Sequence, residues 1–210
     1  MTRSLVAFLS LVAFAAAAAR APAAEEKEKS KSDPAGVPVE IKVVLRKDTI
    51  PLDLGGQSTE EFKKALDEAK KTGKYPAATA VDLEVVFTNT GEKDISLQFG
   101  GDSNRLNLEV KGPGAVSAET QRIFTREFRA PKPVVIAAGK SHSIALKGLQ
   151  YGYRGVSHQA YLTAPGDYTI TAVYQTAVSP APKDAKDAGD GFGAVTFTSA
   201  PAKLKVEEKK

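Results

Sequence analysis

Apolar and polar residues alternate with a period of two in one segment after another. The clearest run is Pro165–Thr176, where a Pro-Gly turn leads into Tyr168, Ile170, Ala172 and Tyr174 on one side and Thr169, Thr171 and Gln175 on the other. Such alternation of β-branched and aromatic residues is the signature of a half-buried strand, here a core strand expected to be the penultimate one. The same pattern recurs at Val39–Leu45, Val81–Phe87, Ile95–Phe99, Leu106–Val110, Val134–Ile136, His142–Lys147, Val195–Phe197 and Leu204–Val206. Asn89-Thr90-Gly91, between two of these runs, predicts a hairpin.

One stretch breaks the period. In Ser58–Gly73 the apolar residues Phe62, Leu66 and Ala69 fall at helical spacing. Ser58 and Glu61 have capping-box spacing, and Gly73 stands where a left-handed C-cap belongs. The segment predicts a short helix with one narrow apolar stripe, either capping an end of the fold or lining a binding cleft. Thr49–Gly56 reads as a turn. Ala118–Arg129 fits no single period: Ile123, Phe124 and Phe128 suit a helical turn, while Thr125, Pro131 and Pro133 favour an extended, irregular path. Ser179–Gly193 is a long Pro, Ala, Asp and Gly loop. Regular short strands with one helical insertion at 58–73 imply an all-β sandwich of about eight strands over 39–207, with 208–210 as a frayed tail.

The N-terminus changes the picture from fold to destination. After Arg3, Leu5–Ala19 is an apolar run of Ala, Leu, Val and Phe that ends in small residues. That is the pattern of a signal peptide over 1–24, with cleavage after Ala19 or Ala24. Its run of about 15 residues is short for a membrane span, although a lone anchor is the competing reading. Glu25–Pro38 is charged and small and reads as a disordered linker. The expected product is exported, periplasmic or extracellular, without stable membrane insertion once the signal is removed. It has no Cys, so its core must hold by packing alone, which roughly 170 ordered residues allow. The net charge of +4 is spread among interspersed acids and bases, with no basic stripe among aromatics. Nucleic acid is therefore not an expected partner.

Several phrases carry a resemblance. Val81–Phe99, VDLEVVFTNTGEKDISLQF, resembles the strand–NTG–strand unit of bacterial immunoglobulin-like domains, including those grouped with an intracellular proteinase-inhibitor family. Ala138-Gly139-Lys140-Ser141, the PGDYTITAVY run and Thr198–Val206 resemble the turns and the closing strand of such domains. With Gly112-Pro113-Gly114-Ala115 and Tyr151-Gly152-Tyr153-Arg154-Gly155, the chain resembles an uncharacterised group of exported bacterial proteins with an immunoglobulin-like β-sandwich. The resemblance implies that fold, with Tyr168 at the corner position whose hydroxyl ties down a neighbouring loop. No matching motif places the inhibitor family's reactive segment in this chain.

Candidate chemistry is sparse. Asp184, Asp187 and Asp190 sit in the long loop without EF-hand spacing or a closing Glu, and Lys183 and Lys186 oppose a cation, so a solvated loop is expected there. His142 and His158 lack zinc spacing. No nucleophile elbow or phosphate loop is present, and no enzyme activity, cofactor or metal is expected. The densest cluster of interactive side chains is Tyr151, Tyr153, Arg154 and His158, a loop able to meet an unknown protein or glycan. The alternative for that cluster is packing, with Arg154 held by loop carbonyls or by a carboxylate such as Asp102. The expected function is a non-catalytic binding or envelope-structural module whose partner meets loops at one end of the sandwich. Two alternatives are an exported protease inhibitor presenting the 179–193 loop and a carbohydrate-binding module using Tyr151 and Tyr153.

Overall fold

The structure, a computed structural model, describes residues 36–121 and 126–209. The expected signal peptide and most of the expected linker lie outside the described residues. The linker's last residues belong to the fold: Val37 is buried in the core, and its carbonyl accepts from the Val39 amide at 2.8 Å.

Thirteen strands and one helix are formed among the described residues, against the eight or so strands expected. In chain order they are β1 (Val39–Leu45), β2 (Thr49–Pro51), α1 (Thr59–Thr72), β3 (Leu83–Asn89), β4 (Ile95–Phe99), β5 (Arg105–Lys111) and β6 (Ala115–Gln121). They continue with β7 (Lys132–Ile136), β8 (Ser141–Leu146), β9 (Gln150–Tyr153), β10 (Val156–Leu162), β11 (Gly166–Ser179), β12 (Gly193–Thr198) and β13 (Ala202–Glu207). The excess over expectation comes from short or broken strands that sequence alternation cannot register. Three-residue β2 pairs in parallel with β13 where a turn was expected. The ambiguous 118–129 stretch starts inside β6, which pairs with β10. The supposed loop at Tyr151–His158 is the β9–β10 hairpin.

The first sheet has the order β1-β3-β8, and the second runs β2-β13-β11-β4-β7, with β5 and β12 also pairing β11. Their inward faces make the main core: Val85 and Phe87 from β3, Leu97 from β4, Ile170 and Tyr174 from β11, and Phe197 from β12. Phe87 meets Phe99 and Tyr174 edge-on at 5.1 and 5.0 Å. β11 is third from last, not penultimate, because the closing strand is broken into β12 and β13. Between them Ser199 keeps the ladder intact: its amide donates to the Ala172 carbonyl at 2.8 Å, and its hydroxyl accepts from the Ala172 amide at 2.9 Å.

Asn89-Thr90-Gly91 does not make a hairpin, since β3 and β4 lie in different sheets. The chain crosses over there around Asn89, which is wholly buried. Its amide nitrogen donates to the Lys93 and Ile136 carbonyls at 2.8 and 2.9 Å, and its side-chain oxygen accepts from the Gly91 amide at 3.0 Å. An Asx turn and a hairpin turn share residue preferences, and only the pairing separates them.

The third sheet, β6-β10-β9, lies on the flank of the sandwich against β5. The alternation of β10 decides its two faces. Ala160 and Leu162 join the main core, while Tyr161 faces the other way into a smaller cluster with Phe62, Leu66 and Ala118. Helix α1 therefore covers the third sheet and not an end of the sandwich. It carries the expected caps: Ser58 and Glu61 bond reciprocally, and Gly73, at φ 72°, donates its amide to the Ala69 carbonyl at 2.7 Å. A groove of about 410 Å³ beside it is lined by Leu54, Phe62 and the 76–80 strap. Tyr168 holds the corner, its hydroxyl donating to the Ala164 carbonyl at 2.7 Å.

Candidate functional site

The third sheet places the sequence-predicted residues. Cross-strand register sets Tyr151, His158 and Glu119 in one row across β9, β10 and β6, with Tyr153 opposite Val156 at the hairpin tip. Tyr151 stacks on His158 with ring centroids 4.9 Å apart and planes at 14°, and Tyr153 lies 5.9 Å from His158 at 34°. His158 Nδ1 is 3.6 Å from a Glu119 carboxylate oxygen. All three rings are half-buried. Burial pushes the Tyr151 hydroxyl above its ordinary pKa; Glu109 and Glu119 add to the rise, and a hydrogen bond with the Leu108 backbone opposes it.

Arg154, at the hairpin turn, donates to the Arg126 carbonyl at 3.2 Å and approaches Asp102 at 3.8 Å. Asp102 is the centre of this junction. Its side chain is only 2% exposed, and the Arg129 guanidinium reaches one of its oxygens with Nε and Nη2 at 3.0 and 2.8 Å. The backbones exchange bonds as well: the Arg129 amide donates to the other Asp102 oxygen at 3.0 Å, and the Asp102 amide donates to the Arg129 carbonyl at 2.9 Å. The Arg129 amide first, then its guanidinium and that of Arg154, hold the Asp102 carboxyl below the ordinary range against the cost of burial.

Three segments distant in sequence thus meet at Asp102: the 100–104 loop, the 126–131 approach to β7, and the β9–β10 turn. The junction lies on the flank of the second sheet, not at an end. β4 and β5 both pair with β11, Leu97 opposite Val178 and Arg105 opposite Gln175, and the 100–104 loop bulges out between them. Asn104 is buried and closes the loop by donating to the Gly100 carbonyl at 2.9 Å. Gly101 has φ 70°, and a Cβ there would stand 2.5 Å from the Pro131 nitrogen, so only glycine permits this approach.

Arg105 completes the cluster. Its guanidinium carbon lies 4.7 Å from the Tyr153 ring centroid. Sequence reading gave no role to Arg105 or Arg129. The only local signal was the Gly100-Gly101-Asp102 turn, and no spacing links it to a residue 27 positions on.

The other candidates separate. His142 sits on β8 against Phe99, with centroids 4.3 Å apart, in a different sheet from His158. Asp184, Asp187 and Asp190 are exposed, and Asp187 accepts from the Gly189 amide at 2.9 Å. Among the described residues no group of His, Cys, Asp and Glu is arranged to hold a metal ion, and no helix is long and apolar enough to cross a membrane.

Fold and junction together define an all-β, immunoglobulin-like sandwich with a helix-covered third sheet on its flank. No family model and no curated protein matches the chain. Among solved structures, the ASH / PapD-like domain of human CEP192 (PapD-like domain 7) is similar at 13% identity, over 91% of this chain and 100% of that one, with a TM-score of 0.26. A superposition that loose transfers neither partner nor activity, and the sandwich assignment stands on the strand pairings.

Proposed function

We propose that this chain is an exported, non-catalytic immunoglobulin-like module that binds a protein partner through the flank around Tyr153. One observation carries the reading. An almost fully buried carboxylate, Asp102, fastens three separate surface segments, so that the backbone carrying Tyr153, Arg105, Arg154 and exposed Phe128 is ordered before any partner arrives. Preordering of this kind lowers the entropic cost of association. Tyr and Arg are also the side chains that most often dominate binding surfaces. Export rests on the Leu5–Ala19 pattern, and membership of the exported bacterial group rests on the motifs that resemble it.

The alternatives have less support. A carbohydrate module needs open aromatic faces, whereas His158 lies over Tyr151 and Arg105 over Tyr153. An inhibitor loop needs extended backbone to pair with a protease cleft. Residues 180–192 instead fold on themselves: the Ala185 amide donates to the Pro182 carbonyl, the Ala188 amide to the Phe192 carbonyl, and the Phe192 amide to the Gly189 carbonyl.

The test is site-specific photo-crosslinking in the producing cell. A benzophenone side chain replacing Tyr153 or Phe128 should give a discrete adduct of the same partner. The same group replacing exposed Thr196 on β12 should not. Equal adducts at all three sites, or none at Tyr153 and Phe128, would sink the reading.

A further inference from the structure

We infer that Asp190-Gly191 is a site of self-modification, where Asp190 closes a succinimide on the Gly191 amide nitrogen and reopens as isoaspartate. The inference concerns the long loop and is independent of the candidate flank. Asp190-Gly191 is the one Asp-Gly step in the sequence, and no Asn precedes a glycine. A turn holds it: the Phe192 amide donates to the Gly189 carbonyl at 2.9 Å, and Asp187 pairs antiparallel with Gly193 behind it. With φ at 52° for Asp190 and 78° for Gly191, the turn is type I′. Among the described residues Asp190 is the sole non-glycine at positive φ, a conformation that stores strain in a residue with a Cβ.

The reacting groups are free. Both residues are exposed, and among the described residues nothing bonds the Asp190 carboxylate, the Asp190 carbonyl or the Gly191 amide. In type I′ the Gly191 nitrogen points away from the Asp190 side chain. A flip of the peptide between them gives type II′, which joins the same strands, keeps φ positive at Asp190 and swings that nitrogen round to Cγ. The flip breaks no hydrogen bond, and only glycine takes both signs of φ at position 191 without cost. The nitrogen then bonds Cγ, while its amide proton and the side-chain hydroxyl leave as water. A second water reopens the ring. Added at the side-chain carbonyl it restores aspartate; added at the backbone carbonyl it leaves the chain running through Cγ, one methylene longer. Asp102, also followed by a small residue, is kept from this chemistry, since its side chain is 2% exposed and Arg129 holds both its oxygens.

The test is peptide mapping of the full chain after long incubation in heavy-oxygen water at neutral pH. The tryptic peptides Asp187–Lys203 and Asp94–Arg105 carry the two aspartates to be compared. Electron-transfer fragmentation should find isoaspartate at residue 190 and none at Asp102. Heavy oxygen should mark the isomer and also the part of residue 190 that returned to aspartate. Asp190→Asn, which releases ammonia in place of water, should isomerise faster. Asp190→Glu, whose ring would need one more carbon, should lose the isomer altogether. In the isomerised chain hydrogen exchange should quicken at the Phe192 amide, whose turn has lengthened, and stay unchanged at Ala172. No isoaspartate at residue 190, isomer without heavy oxygen, equal amounts at Asp102, or an undiminished yield in Asp190→Glu overturns the inference.

Discussion

Asp102 is nearly buried, yet every group that holds it comes from a surface segment. A carboxylate in that position is tolerable only when its oxygens are met by donors, and here backbone and guanidinium N–H groups of Arg129 do so. The consequence is a pH dependence of known sign. The folded-state carboxyl ionises below its ordinary range, so its stabilisation is fully present above about pH 4 and is lost as pH falls through the lowered folded value. Asp102→Asn, similar in shape but uncharged, should melt a few degrees below the native chain at pH 7, and the gap should close toward pH 2. Thermal denaturation from pH 2 to 7 checks it; a gap that ignores pH would show that charge is not what fastens the junction. Sequence named Asp102 only as a possible partner for Arg154. Arg129, its closer partner, was invisible because ion pairing across 27 residues follows from the fold and leaves no spacing behind.

At the scale of elements, alternation located most strands, and the cap residues bounded the helix, because both signals are local. Pairing is not local, and there the reading went astray. Asn89-Thr90-Gly91 carries turn chemistry that serves a hairpin or a crossover equally, and it is the burial of Asn89 and its bond to Ile136 that selects the crossover. The third sheet was missed for a related reason: β6 and the β9–β10 hairpin contain Gly, Gln, Thr and His where alternation is weak, and α1 supplies their cover from elsewhere in the chain. The candidate cluster was half legible, since four of its residues lie in one hairpin, and Arg105 and Arg129 arrive from other elements. The break between β12 and β13 gives this scale its prediction. Ser199→Ala leaves the buried Ala172 amide without an acceptor, which should cost about 1–3 kcal/mol. Urea unfolding should show the loss, and hydrogen exchange should speed most at Ala172; a change confined to the strand termini would contradict the role given to Ser199.

Among the described residues the core falls into two clusters joined by one shared sheet. β10 turns Ala160 and Leu162 to the main core and Tyr161 to the helix, so the third sheet cannot leave one cluster without exposing the other. Two tyrosines report on this coupling. Burial pushes the hydroxyls of both Tyr161, under the helix, and Tyr174, in the main core, up to about 12. The unfolded chain ionises its tyrosines near 10, so the stability these groups lend is complete below about pH 10 and disappears as pH rises toward 12. Far-UV circular dichroism and tyrosinate absorbance, followed together from pH 9 to 12.5, should therefore show one alkaline transition. Tyr161→Phe and Tyr174→Phe should each move that single transition to higher pH, because a phenyl ring has no proton to lose. If Tyr161→Phe shifts only an early, helix-reporting phase and leaves the sheet signal where it was, the two clusters melt apart. The shared faces of β10 would then not couple the candidate flank to the core of the sandwich.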